Sequence, residues 1–296
     1  MRFVKMPKVS VVLPTYNGSK YLAESIDSII NQTFTDWELI VINDCSTDNT
    51  LEIANSYAEK DSRIKVFTNP ENLKLPKSLN EGFKRASGEY YTWTSDDNRY
   101  KPEAFERMVL FLDENVDAGL VCFDMDFIDS EGVFSSSLKL PDPSTLVNQN
   151  TIGACFMYRS SIAKKIGEYD TEMFLAEDYE YWLRFYFNSR IVHRSENLYE
   201  YRQHEASLSA IKYEKIFLQR AKVKYKYHKY IIKNIEKEYL RGYYYDLRKN
   251  GIMFTDDELN EIIIKDRFIR LWYFKTLILK KFGLNSCLHL PEGINL

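Results

Sequence analysis

Glycine-rich phosphate cradles are missing from this chain of 296 residues, which contains neither GxGxxG nor GxxxxGK[ST]. That removes dinucleotide-binding and P-loop chemistry, in which backbone amides at a helix start hold the phosphates. GxSxG and HExxH are absent too, so neither a hydrolase elbow nor a zincin helix is encoded. Cysteine is scarce. Cys45, Cys122, Cys155 and Cys287 form no CxxC pair, which argues against structural zinc and a disulfide framework and fits a reducing compartment. No run of about 18 apolar residues occurs, so no bilayer-spanning helix is expected. The amino-terminal MRFVKMPKVSVVLPTYN breaks its short apolar run at a proline and does not read as a signal peptide. The expectation is a cytoplasmic protein.

What is present suffices for a large core, since 45% of the residues are hydrophobic. The length suits two domains, or one large α/β domain with an extension. A net charge of −3 gives no reason to expect nucleic acid as a partner. The charge is unevenly spread: residues 1–211 hold 22 Lys and Arg against 33 Asp and Glu, whereas residues 212–296 hold 18 against 10. An acidic body carries a basic tail.

Continuous apolar runs mark strands buried on both faces, at 9–13 (VSVVL) and 37–42 (WELIVI). Further strands are expected at 64–68, 90–94 and 120–128, with helices at 20–31 behind a Ser19 cap, 48–59, 76–87 and 102–114. This alternation predicts a doubly wound, mainly parallel sheet with helices on both faces. Beyond it, 135–148 reads as a loop, 152–158 as a strand and 178–188 as an aromatic helix. From 212 onward the pattern is helical, with a capping box at Thr255 and Glu258 and a helix over 265–282 that stops at Gly283.

Ligands of open α/β sheets bind beyond the carboxyl ends of the strands. Here those ends read Pro14-Thr15-Tyr16-Asn17, Asn43-Asp44-Cys45-Ser46-Thr47-Asp48 and Ser95-Asp96-Asp97-Asn98. Three polar clusters therefore share one edge. With no glycine cradle, phosphate charge would have to be met by a metal and side chains, and a carboxylate or two plus substrate phosphates is the usual Mg²⁺ or Mn²⁺ arrangement. Glu177-Asp178 opens a helix, where an acid serves either as a cap to the dipole or as a general base. His204, in YRQHE, is either a surface residue or a ligand.

These clusters, in this order and spacing, resemble the family 2 glycosyltransferases of the GT-A fold. The resemblance runs over about residues 7–210, through VSVVLPTYNGSKYLAESIDSIINQTFTDWELIVINDCSTDNT, LNEGFKRASGEYYTWTSDDN, the Glu-Asp of FLAEDYEYWLR, and YRQHEASLS. It implies an inverting transfer of sugar from a nucleotide donor, usually UDP-linked, to a saccharide or lipid-linked acceptor, with Mn²⁺ or Mg²⁺. By the same resemblance Pro14, Thr15, Tyr16 and Asn17 line the nucleoside pocket. Asp44 accepts from the uracil ring, Lys77 and Asn80 help hold the base, and Asp96 contacts the ribose. Asp97 binds the metal with His204 nearby, Asp178 is the base and Glu177 supports it. Two departures stand out: Asn43 where many members have Asp, and an Asp-x-Asp that reads Asp96-Asp97-Asn98.

The implied organisation is a nucleotide-sugar half at 1–115, an acceptor half at 116–211, and a basic, Tyr-rich helical extension at 212–296. The extension either packs on the catalytic domain or another subunit, or meets an anionic lipid surface, an idea that Trp272-Tyr273-Phe274, residues 277–279 and Lys280-Lys281 favour. That would place the protein on the inner face of a membrane, in surface polysaccharide synthesis. Two rivals are weaker. A sugar-phosphate nucleotidyltransferase would want a glycine- and arginine-rich loop after the first strand, and a non-catalytic nucleotide-sugar binder would not need both acidic pairs.

Overall fold

The computed structural model describes residues 6–236, 239–266 and Ile269. The chain forms two compact units: Met1–Leu146 with Asn150–Lys212, and Val147–Gln149 with the residues from Tyr213 onward.

The first unit alternates strands and helices through β1 (Val9–Thr15), α1 (Leu22–Ile30), β2 (Trp37–Asn43), α2 (Thr50–Ala58), β3 (Ile64–Thr68), α3 (Leu75–Phe83) and β4 (Tyr90–Trp93). It continues with β5 (Arg99–Tyr100), α4 (Ala104–Glu114), β6 (Ala118–Ile128), β7 (Phe134–Leu138), β8 (Phe156–Arg159), α5 (Ser160–Ile166), α6 (Glu177–Asn188), β9 (Arg190–Arg202) and α7 (Leu208–Ile211). All but α7 build or cover one sheet in the order β3-β2-β1-β4-β8-β6-β9-β5, with β7 on β6. The first four strands are parallel, and β9 runs parallel to β6. β8 is antiparallel to both β4 and β6, so β4 and β6 still point the same way.

β1 and β2 are buried at every position, which is why they read as unbroken apolar runs. Their register pairs Val9 with Trp37 and Thr15 with Asn43, so their polar carboxyl ends finish side by side. Below them, α6 packs Trp182 and Phe185 against Phe156 and Tyr158 of β8. The helix that carries Glu177 and Asp178 is thereby fixed to the sheet.

Several expectations are corrected. Tyr21, not Ser19, occupies the cap position of α1, and it makes no side-chain cap bond. The strand expected from Ile152 begins at Phe156, because Gly153 turns the chain at φ 67° and a Cβ there would meet Met125 Cε at 2.4 Å. Part of the expected loop at 135–148 is β7, whose FSSSL is exposed except at its last residue and so shows no alternation. The 13-residue β9 went unforeseen. Few of its residues are buried, and RIVHRSENLYEYR offers neither an apolar run nor a period of two.

The second unit contains α8 (Tyr213–Lys226), α9 (His228–Asn234), α10 (Leu240–Lys249) and α11 (Asp256–Lys265). Its core gathers Val223, Ile231, Leu240, Tyr243, Leu247 and Ile262. Part of the basic charge is turned inward: Lys224 is buried against Asp246 at 2.5 Å, and burial lowers the pKa of its ammonium. The capping box at Thr255 and Glu258 is formed. Residues 272–274, 277–281 and the helix end at Gly283 lie outside the described residues. No helix among the described residues is long and apolar enough to cross a membrane.

Candidate active site

Backbone strain marks the site before any side chain does. Among the described residues, four non-glycine positions adopt left-handed φ: Asn17 (54°), Cys45 (63°), Lys74 (70°) and Leu175 (78°). Such residues cost about 1–3 kcal/mol each and persist where surrounding bonds hold them. Two follow the carboxyl ends of β1 and β2, one lies in the loop between β3 and α3, and one immediately precedes α6.

The first two loops are tied together. Asn17 N–H donates to Ser46 Oγ at 3.0 Å, and Thr47 N–H donates to Asn17 Oδ1 at 2.8 Å. Asp48 accepts from the Ser19 and Thr50 amides. Partial burial works to raise its pKa, yet the bonds from Thr50 and Ser19 hold it down to about 2. Asp44 is buried and accepts three hydrogen bonds, from Asn69 Nδ2 (2.7 Å), Leu73 N–H (2.8 Å) and Lys74 N–H (2.9 Å). It thus anchors the strained segment before α3. Asn80 is buried and gives both amide atoms to the Tyr169 backbone, at 2.9 and 2.8 Å, so its polar groups are used within the protein. Lys77 is exposed on α3, Tyr16 and Asn17 are exposed beyond β1, and Pro14 is buried within that strand.

Past β4, Asp96 accepts from Thr15 Oγ1 at 2.5 Å. Burial pushes its carboxyl up to about 7, against the Thr15 bond and with help from the Asp97 charge. Gly18 is the floor of this contact, for a Cβ on it would lie 2.0 Å from Asp96 Oδ2 and 2.7 Å from Thr15 Oγ1. Gly18→Ala should displace Asp96. Overpacking there costs about 1–3 kcal/mol of stability, read as a lower melting temperature of the variant.

Asp97 and His204 are brought together from β4 and the segment after β9, with His204 Nε2 3.0 Å from Asp97 Oδ2. Asp97 Oδ1 is buried and has no hydrogen-bond partner among the described residues. A buried, unpartnered carboxylate oxygen beside an imidazole suits a Mn²⁺ or Mg²⁺ ion whose remaining ligands come from a diphosphate. Among the described residues no group of three or more His, Cys, Asp or Glu is placed to hold a metal.

Glu177 and Asp178 form the third cluster. Glu177 is buried and its Oε2 accepts from Leu175 N–H at 2.7 Å, which holds the left-handed turn into α6. Burial first, and the Asp178 charge second, raise its pKa well above the usual carboxylate range. Asp178 Oδ2 accepts from Asn150 Nδ2 at 2.8 Å. Between the unfolded and the raised folded value, the folded chain keeps a proton that the unfolded chain loses, so this acid lowers stability as pH rises. Glu177→Gln should therefore raise the melting temperature, and by more at pH 9 than at pH 5, in scans without nucleotide or metal.

Two participants were not legible in the sequence. Asn150 lies in the irregular segment and gave no signal. Arg202, two residues before His204, is fully buried at the end of the unforeseen β9.

The model of the family described as "Glycosyl transferase family 2" matches residues 10–167. The chain belongs to that family. An uncharacterized glycosyltransferase of Rickettsia typhi is 33% identical over 215 residues, 68% of this chain and 65% of that protein. The poly(ribitol-phosphate) beta-N-acetylglucosaminyltransferase TarS of Staphylococcus aureus is 33% identical over 205 residues, 66% of this chain and 35% of its own length. Among solved structures, S. aureus TarS 1–349 in complex with UDP-GlcNAc aligns with a TM-score of 0.60 at 19% identity, covering 97% of this chain and 95% of that one. That likeness shows the fold, and the α/β expectation of a GT-A-type sheet with a helical extension holds. The chain spans 65% of the length of the first of these two sequence relatives and 35% of the second.

Proposed function

We propose that this glycosyltransferase moves a sugar from a UDP-linked donor to a hydroxyl of a saccharide or glycolipid acceptor, with inversion at the anomeric carbon. The observation that carries the reading is the pairing of Asp97 with His204 around an unpartnered buried oxygen, in the same unit as the Glu177-Asp178 pair. One group suits the leaving diphosphate and the other suits the attacking hydroxyl. That TarS is named for N-acetylglucosaminyl transfer and holds UDP-GlcNAc supports the donor class.

In this reading the nucleoside lies over residues 14–17, with Asp44 beneath the base and Asp96 at the ribose. Asp44 Oδ2 accepts from Lys74 N–H and has a second lone pair that can take a base N–H. Lys77 and Asn80 bound that region from α3. A Mn²⁺ or Mg²⁺ ion held by Asp97 and His204 would neutralise charge on the departing diphosphate. Asp178 takes the proton from the acceptor hydroxyl as its oxygen bonds to the anomeric carbon and the carbon–phosphate-oxygen bond breaks. Glu177 keeps Leu175 and the start of α6 in place. Residues 1–115, with His204, serve the donor, and the rest of 116–211 serves the acceptor.

The setting we infer is surface polysaccharide synthesis in the cytoplasm, with residues 212–296 lending contact to a membrane or to another subunit. The test is incubation of the protein and Mn²⁺ with a panel of UDP-sugars, reading UDP release and the anomeric configuration of product by NMR. Release from one UDP-sugar, with an α donor giving a β product, is the expected result. Release from none, with GDP- or dTDP-sugars turned over instead, would refute the UDP assignment.

A further inference from the structure

We propose that Arg202 is a positioning residue for the Asp97–His204 pair, so that nucleotide binding in the presence of metal depends on its guanidinium. This rests on the reading of that pair as the diphosphate end of the donor site. The Arg202 side chain is 0% exposed, and its counter-charge is Glu24 of α1 at 2.7 Å, a residue 45% exposed. Its Nε donates to the Asp97 carbonyl at 2.9 Å, and its Nη1 donates to the carbonyls of Ser130 (3.1 Å) and Asp129 (3.3 Å). Its backbone N–H donates to Asn98 Oδ1 at 2.8 Å. Above it, the guanidinium carbon lies 4.4 Å from the Tyr21 ring centre, and that ring lies 5.2 Å from the His204 imidazole.

One side chain therefore grips the main chain of one candidate ligand and underlies the ring that flanks the other. Stability alone is a poor reason for it, since a buried ion pair is often no better than an apolar side chain of the same volume. What the planar fork supplies is geometry: its donors reach three carbonyls and a carboxylate in fixed directions, which an ammonium cannot copy. The Asp97 carboxylate needs such help. Among the described residues its Oδ1 has no partner, so the main chain and the bond to His204 set its direction. Gln203 N–H, bonded to Ile128 O at 2.8 Å, fixes the step from Arg202 to His204.

The experiment compares the wild type with Arg202→Met and Arg202→Lys. It reads melting temperature, UDP affinity by calorimetry with Mn²⁺ and with EDTA, and the ¹⁵N shifts of the histidine rings without metal. Loss of a group that orients metal ligands typically costs about 10- to 100-fold, so that drop is expected in Mn²⁺-supported UDP affinity for both variants. Arg202→Met should melt below the wild type, since three carbonyls and Glu24 lose their donor, but its affinity in EDTA should be nearly that of the wild type. The His204 resonances should move in both variants while those of His228, in the other unit, stay. Should Arg202→Met not fold, Glu24→Gln removes the counter-charge that Arg202 shares with Arg99 (3.0 Å) and should show the same split more weakly, whereas Arg99→Met, which spares Arg202, should not. Folded variants with wild-type affinity in Mn²⁺ and unmoved His204 resonances would overturn the proposal. A wild type that binds no UDP, with His204 still moving in the variants, would refute the donor reading and leave the positioning role standing.

Discussion

Asp178→Asn is expected to slow sugar transfer by about a hundred- to ten-thousandfold while leaving UDP affinity close to that of the wild type. The change keeps the shape of the side chain and its neighbour Asn150, and removes only the ability to take a proton. The choice of Asp178 over Glu177 follows from their surroundings. Glu177 is buried, bonded to the Leu175 amide and pushed toward its protonated form by burial and by its neighbour's charge. Its carboxylate is buried and spent on the main chain, which leaves Asp178 as the proposed base. Glu177→Gln should accordingly retain far more activity than Asp178→Asn, and single-turnover rates with saturating donor would separate the two. Equal losses in both variants would mean that the pair acts as a unit, or that Glu177 is the acceptor of the proton.

The second large effect is expected at the opposite end of the reaction. Asp97→Asn preserves the hydrogen bond to His204 but removes the anion, so UDP should bind in Mn²⁺ only as well as it does in EDTA. Turnover should fall about a hundred- to a thousandfold, as for loss of one preorganised group facing developing charge. Stability should hold or rise, because the buried Asp97 Oδ1 has no partner to lose among the described residues. The two variants thus fail differently. Asp178→Asn binds and does not react, whereas Asp97→Asn loses the metal's help before any bond is broken.

The first half of this fold was legible because β1 and β2 are buried on both faces, and burial writes itself as VSVVL and WELIVI. Their carboxyl ends then had to share an edge, since parallel strands with in-register pairing finish together. Asp96 and Asp97 could be placed for the same reason. Legibility faded where burial did. The half-exposed β9 carries Arg202 to its place with no periodic signal, and β7 is almost wholly exposed. Glu177 was ambiguous for another reason. An acid in a first helical turn reads as a response to the helix dipole, whereas here it is buried and folded back on the Leu175 amide. Asn80 shows the limit in the other direction, for its segment was placed beside the base and its amide is spent on Tyr169. Partners fixed by loops, such as Asn150 on Asp178, need the fold before they can be named.

The most direct test is calorimetric titration of the intact chain with UDP, GDP, CDP and dTDP, each with Mn²⁺ and with EDTA. The geometry around Asp44, Asp97 and His204 predicts that UDP binds tightly, that binding weakens sharply in EDTA, and that the other three bind poorly in either condition. UDP binding that ignores the metal, or no binding by any of the four, would contradict the assignment of Asp97 and His204 as the diphosphate end of a donor site.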